Sequence, residues 1–249
     1  MSVNMIVYLP NEVFKDFSSH FTNASKFGFA YSYYTYINFL YKYCLHFDDN
    51  NEFVSQRRIK EFLGYNPDNK TVNSIIKDNG VLDSIGYTKS TSEYPVRAIF
   101  DEEGNLFDFE TASDIRKNIP NKNIISYRGI KVKSPLLAHT RYEEGVLDGT
   151  FYQVEYTHSV DFEVFKSIVQ DEDLGCVGFL IYGFIKYQNG IRKGYMQSTY
   201  DYMTGVLKMS RRTIRKYTAL LETKGYLAVK RETIADSNRH CPNIYLVIK

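Results

Sequence analysis

KMSRRTIRKYTALLETKGYLAVKRET, residues 208–233, carries a full set of helix signals followed by a strand. Ser210 stands where an N-cap is needed and Gly225 where a helix stops, while Ile214, Tyr217 and Leu221 fall at i, i+3 and i+7 on one apolar stripe. That stripe turns Arg211, Arg212, Arg215 and Lys216 to the opposite side. From Lys186 to residue 233, eleven basic residues stand against three acidic ones, a local charge of +8 in a 249-residue chain whose net charge is only +2. Helix stability does not account for this placement, because the macrodipole disfavours cations in the first turn by about 0.3–1 kcal/mol each. It is accounted for if the helix start must meet phosphates and base edges, where arginine bonds guanine through two parallel N–H groups. Thr213 and Thr218 are further candidates for polar contact on that helix.

Working outward, QSTYDYMTGVLK reads as a shorter helix, with Ser198 and Asp201 in capping-box spacing, Tyr202, Met203 and Val206 buried, and Gly205 at its turn. Upstream lies a dense apolar helix, GCVGFLIYGFIKYQNG. Downstream, GYLAVKRET and IYLVIK read as strands around the polar turn ADSNRHCPN. Helix, helix, helix, hairpin is the order of a winged helix-turn-helix. Lys208, Lys230 and Arg231 flank the basic helix, and Arg239 and His240 occupy the expected wing tip, where a hairpin reaches a minor groove.

The same succession occurs earlier in the chain. GFAYSYYTYINFLYKY precedes FVSQRRIKEFLG, with Ser55 as cap and Gly64 as stop, then NKTVNSIIKDNG, expected to be one helix from Asn69 to Gly80. A hairpin is expected from GYTKST, a turn at SEYP, and VRAIF. The clustered tyrosines of the first helix could be taken for base-stacking platforms, but at helical spacing they read as core. Between residues 42 and 90 seven cations meet seven acids, so the two copies differ electrostatically. Arg57, Arg58, Lys70 and Asn73 are the candidate DNA contacts of the first copy. The expected fold class is α+β, with two winged helix-turn-helix domains (1–100 and 158–249) joined by a partly β-structured middle segment, 101–157. That segment holds the turn DEEGN, the helix TASDIRKN, and strand-like IISYRGIKV and TFYQVEYT.

The pattern from Ser210 to Leu227 resembles the recognition helix and following strand of bacterial winged-helix regulators and replication proteins. MIVYLPNEVFKDF, with the aromatic helix and FVSQRRIKEFLG after it, resembles the amino-terminal domains of plasmid replication initiators and phage replisome organisers. The resemblance implies a tandem architecture in which one copy reads DNA and the other supplies dimerisation or partner contacts. The first copy departs from the pattern: it lacks the arginine pair and has Asn66-Pro67-Asp68 before its second helix.

Other classes lack support. Cys44, Cys176 and Cys241 are widely separated and odd in number, so they outline neither a disulfide framework nor a metal knuckle, which suits a reducing cytoplasm. The five histidines never take an HxH spacing, and no GxxxxGK[ST], GxSxG or HExxH motif is present. The early residues are too polar for a signal peptide, and no apolar run approaches the ~18 residues of a membrane span. The expectation is a non-enzymatic, site-specific double-stranded DNA-binding protein without cofactor or metal, cytoplasmic and associated with a bacterial nucleoid or plasmid. Its expected role is replication initiation or its control on a plasmid or phage-like element. The alternatives are a transcriptional repressor or copy-number regulator, and an interaction module that recruits replication proteins. Pairing into a homodimer on two half-sites is expected by analogy with other readers of this kind.

Overall fold

Fifteen consecutive residues, Phe27 to Tyr41, are buried in a single helix, Ala24–Lys42. A helix apolar on every side must run through the middle of a core, and the rest of the chain is arranged around this one. The computed structural model describes residues 5–48, 50, 52–102, 106–118, 129–192, 194–231 and 242–249. The first half runs β1 (Ile6–Pro10), α1 (Val13–His20), α2 (Ala24–Lys42), α3 (Gln56–Phe62), α4 (Asn73–Ile76), α5 (Val81–Ser84) and β2 (Thr88–Thr91). The segment that follows contributes β3 (Pro95–Phe100), β4 (Leu106–Thr111), α6 (Ala112–Asn118), β5 (Val132–Pro135) and α7 (Leu136–His139). The second half runs β6 (Thr157–Asp161), α8 (Phe162–Val169), α9 (Gly175–Ile191), β7 (Met196–Ser198), α10 (Tyr200–Leu207), α11 (Arg211–Thr223), β8 (Leu227–Lys230) and β9 (Asn243–Val247). The class is mixed α+β with small antiparallel sheets and, among the described residues, no barrel.

The two halves meet along their equivalent elements. β1 pairs antiparallel with β6, Ile6 opposite Asp161 and Pro10 opposite Thr157, and α2 packs on α9. The equivalence extends further toward the amino terminus than the helices alone suggest: Glu-Val-Phe-Lys at 12–15 recurs at 163–166, and Gly-Phe at 28–29 recurs at 178–179. One continuous buried cluster draws on both halves, with Phe14 against Phe184 at 5.3 Å, Tyr31 against Phe179 at 5.1 Å and Phe39 against Phe165 at 5.8 Å between ring centroids. The tyrosines of α2 belong to this core. Burial raises the hydroxyl pKa of Tyr31, Tyr33 and Tyr34 well above the ordinary range.

The crossing of α2 and α9 is close enough to require glycine on each helix. A Cβ on Gly28 would lie 2.8 Å from the Cys176 carbonyl oxygen, and one on Gly183 would lie 2.7 Å from the ring of Tyr31, overlapping its hydroxyl. Gly28→Ala and Gly183→Ala are each expected to cost about 1–3 kcal/mol through overpacking. Gly205→Ala is the control: Gly205 lies inside α10, where an added Cβ meets nothing within 4 Å, so that change is expected to stabilise by up to ~1 kcal/mol. Urea melts of the three variants test this, and equal midpoints for Gly28→Ala and Gly205→Ala would contradict the close crossing.

Several expectations differ from the structure. The first-copy hairpin over 86–100 does not form: β2 pairs with β5 instead, Thr88 opposite Pro135 and Thr91 opposite Val132, while β3 pairs with β4. Residues 92–131 are thus inserted between two paired strands. The long helix expected from Asn69 to Gly80 is also absent. In its place α4 and α5 flank an extended Lys77 and a left-handed Asn79 at φ 56°. Lys133, on β5, holds this break. Its buried ammonium donates to the Lys77 carbonyl at 3.2 Å, Asp78 at 3.3 Å and Asp83 at 2.7 Å. TASDIRKN is helical as expected, but of TFYQVEYT only Thr157 enters a strand. IISYRGIKV lies mostly outside the described residues, and only its last residue, Val132, enters a strand, as the first residue of β5.

Candidate nucleic-acid interface

Thr199 caps α10, its hydroxyl accepting from the Tyr202 amide at 3.3 Å, so the cap falls one residue after the expected Ser198, which ends β7. Gly205 is inside α10, and the turn falls instead at Lys208, left-handed at φ 54°. Tyr202, expected inside, is exposed, whereas Met203 and Leu207 are fully buried. The α10–α11 turn then delivers Ser210, whose hydroxyl accepts from the Thr213 amide at 3.1 Å and lies 2.8 Å from the Thr213 hydroxyl. Ser210 and Thr213 therefore act first as a cap.

Ile214, Thr218 and Leu221 are the buried face of α11, and Thr218 donates to the Ile214 carbonyl at 2.8 Å. Buried and internally bonded, Thr218 is not available as a surface contact. Three ion pairs anchor the far end of the helix. Lys224 donates to Asp171 at 2.6 Å and to Asp173 at 3.2 Å, and Arg231 pairs with Glu222 at 2.6 Å. The bond to Asp171 raises the Lys224 pKa, and the bond from Arg231 lowers that of Glu222.

The anchored end leaves the first half of α11 outward. Arg211, Arg212, Arg215 and Lys216 are exposed, as are Lys208 and Lys230. Arg212, Arg215 and Lys208 form no ion pair with any described residue. Lys216 lies 5.2 Å from the ring centroid of Tyr217. Arg211 is paired with Asp201, Nε to Oδ1 at 3.2 Å and Nη2 to Oδ2 at 2.5 Å. Lys186, counted in the local charge, sits half-buried against Tyr182, its pKa lowered by burial, and does not add to this surface. Arg239 and His240 lie outside the described residues.

The first copy presents a different surface. Arg57 is paired with Asp68, and Arg58 with Asp48 at 2.8 Å and Glu52 at 2.7 Å. Asn73 accepts at 2.6 Å from Lys60, a buried ammonium that also donates to the carbonyls of Pro67 and Asn69. Three of the four candidates here are thus engaged within the fold, and only Lys70 is exposed without an ion pair to a described residue. Sequence alone did not expose these engagements, although the acids close to the arginines in sequence, Asp48, Glu52 and Asp68, were the available signal.

Elsewhere, a cleft of about 440 Å³ opens between α1, α9 and α10, lined among others by Glu12, Lys15, Tyr187, Gln188 and Tyr202. Among the described residues no three His, Cys, Asp or Glu side chains converge as a metal-binding group, and no helix is long and apolar enough to cross a membrane. Comparison of the chain with protein-family models, with curated proteins and with solved structures yields no match.

Proposed function

We propose that this chain is a non-enzymatic, site-specific double-stranded DNA-binding protein built on two winged helices, of which the second does the reading. The observation that carries this is the outward first half of α11, where Arg212, Arg215 and Lys216 stand exposed and unopposed by any described acid. A helix whose base is anchored by its apolar stripe and three ion pairs, and whose cations gather at the start, is shaped to enter a major groove. In this reading β8 and β9 flank the wing, and the first copy, whose second helix is broken and whose arginines are paired, serves partner or dimer contacts. The proposed role is replication initiation or its control on a plasmid or phage-like element.

Fluorescence anisotropy of the full chain on duplex selected from random DNA tests the assignment. Arg212→Ala, Arg215→Ala and Lys216→Ala together are expected to weaken binding roughly 100-fold or more, at ~1 kcal/mol or more per charged group removed. The plot of log affinity against log salt is expected to flatten by about 0.9 for each phosphate that is no longer neutralised. Arg57→Ala with Arg58→Ala is expected to change neither. Unchanged binding by the triple variant would refute the assignment. Target sites repeated within an origin are expected, whereas a single site over a promoter would favour the repressor reading.

A further inference from the structure

A guanidinium carries five N–H groups, and which edge it spends on a carboxylate decides what remains for a ligand. Arg58 spends Nη1 and Nη2 on Asp48 and Glu52, Arg57 spends both on Asp68, and Arg231 spends both on Glu222. In all three the outer edge is consumed. Arg211 differs, because it meets Asp201 side-on, through Nε and one N–H of Nη2. Its outer edge, the Nη1 group and the second Nη2 hydrogen, is left over, and those two parallel donors match the N7 and O6 acceptors of guanine in a major groove.

The two residues come from different helices. Asp201 lies in the first turn of α10, where the dipole favours a carboxylate, and Arg211 opens α11. The pair spans ten residues of a capped turn, so the arginine is aimed by the helix-turn-helix itself. A surface chosen for affinity alone would not place an acid beside the groove-facing cation, since that acid repels phosphate. Arg212 and Arg215, which lack such an acid among the described residues, suit phosphates instead.

We propose that Arg211 reads one guanine through N7 and O6 and that Asp201 is its positioning residue, an inference that rests on the DNA-binding reading above. The test uses the full chain and the duplex it selects from random DNA, with 7-deazaguanine replacing each guanine in turn. In the wild type one replacement is expected to weaken binding about tenfold or more, the range of a bidentate base contact. Arg211→Met, which keeps the length of the side chain and removes its donors, is expected to abolish that penalty and to leave any penalty at other guanines in place. Asp201→Asn is expected to shrink the penalty while binding to unrelated duplex stays equal or tightens, a pattern that loss of fold would not produce. If Asp201→Asn weakens all duplexes alike and leaves the penalty intact, or if no guanine acts through N7, the inference is overturned. If the wild type binds no duplex at all, the DNA-binding reading itself fails, and the guanine inference falls with it.

Discussion

Acidification from pH 7 to pH 5 should destabilise the protein by roughly 5 kcal/mol, because three histidines are held neutral inside it. Burial depresses His46 and His139 to about 4 and His158 to about 3. His158 is fixed between the Tyr31 hydroxyl at 2.7 Å and the Asn11 amide oxygen at 3.1 Å, where β1, α2 and β6 meet. His46 and His139 both pack edge-on against Tyr41, and the Nε2 of each finds no hydrogen-bond partner among the described residues.

The unfolded chain binds a proton at each of these sites near pH 6.5 and the folded chain does not, so stability is full above that pH. It is lost as the pH falls from there toward 4 for two of them and 3 for the third. Each histidine contributes up to about 1.4 kcal/mol per pH unit in that window, so three together remove roughly 5 kcal/mol between pH 6.5 and 5. That is comparable to the roughly 5–15 kcal/mol that holds a typical domain. The depressed carboxylates Asp48, Asp78, Asp171 and Glu222 act in the same direction. Thermal melts between pH 7 and 5 measure the slope, and a flat melting temperature, or assigned ring resonances of His46, His139 and His158 titrating near 6.5 in the folded protein, would contradict the burial.

The second large effect is expected at Lys133. Lys133→Ala should cost about 3–5 kcal/mol, because it leaves the mostly buried Asp83 without its cation. Asp83 also accepts from the Thr88 hydroxyl at 2.7 Å and the Asn79 amide at 2.9 Å, so its loss of charge balance disturbs both β2 and the break between α4 and α5. Lys133→Met combined with Asp83→Asn should recover most of the loss, since neither charge then remains in the interior. Urea denaturation separates these outcomes. A single variant that melts with the wild type would show that the lysine is dispensable.

How much of this was legible in advance follows the range of each interaction. Helix α11 was readable to within a residue because its cap, its stripe and Gly225 at φ 75° are all local signals. Ser55 was recognised as a cap for the same reason. The broken second helix of the first copy was not readable. Asn69 and Gly80 bound a plausible helix, but the residue that holds the break, Lys133, lies about fifty positions away on an inserted strand. At the candidate site the exposure of Arg212 and Arg215 followed from periodicity, whereas the side-on pairing of Arg211 depended on how two helices are set against each other.

The sequence by itself determined the cap, the inward stripe and the stop of α11, and that positive charge gathers on that helix, because periodicity and capping act within a few residues. The tertiary structure alone decided that the two halves share one core through β1, β6, α2 and α9, that strand β5 displaces the expected first hairpin, and which of the cations are paired with acids. Strand pairing, the close crossing of helices and ion pairing depend on distances between residues remote in the chain, and no local pattern encodes those distances.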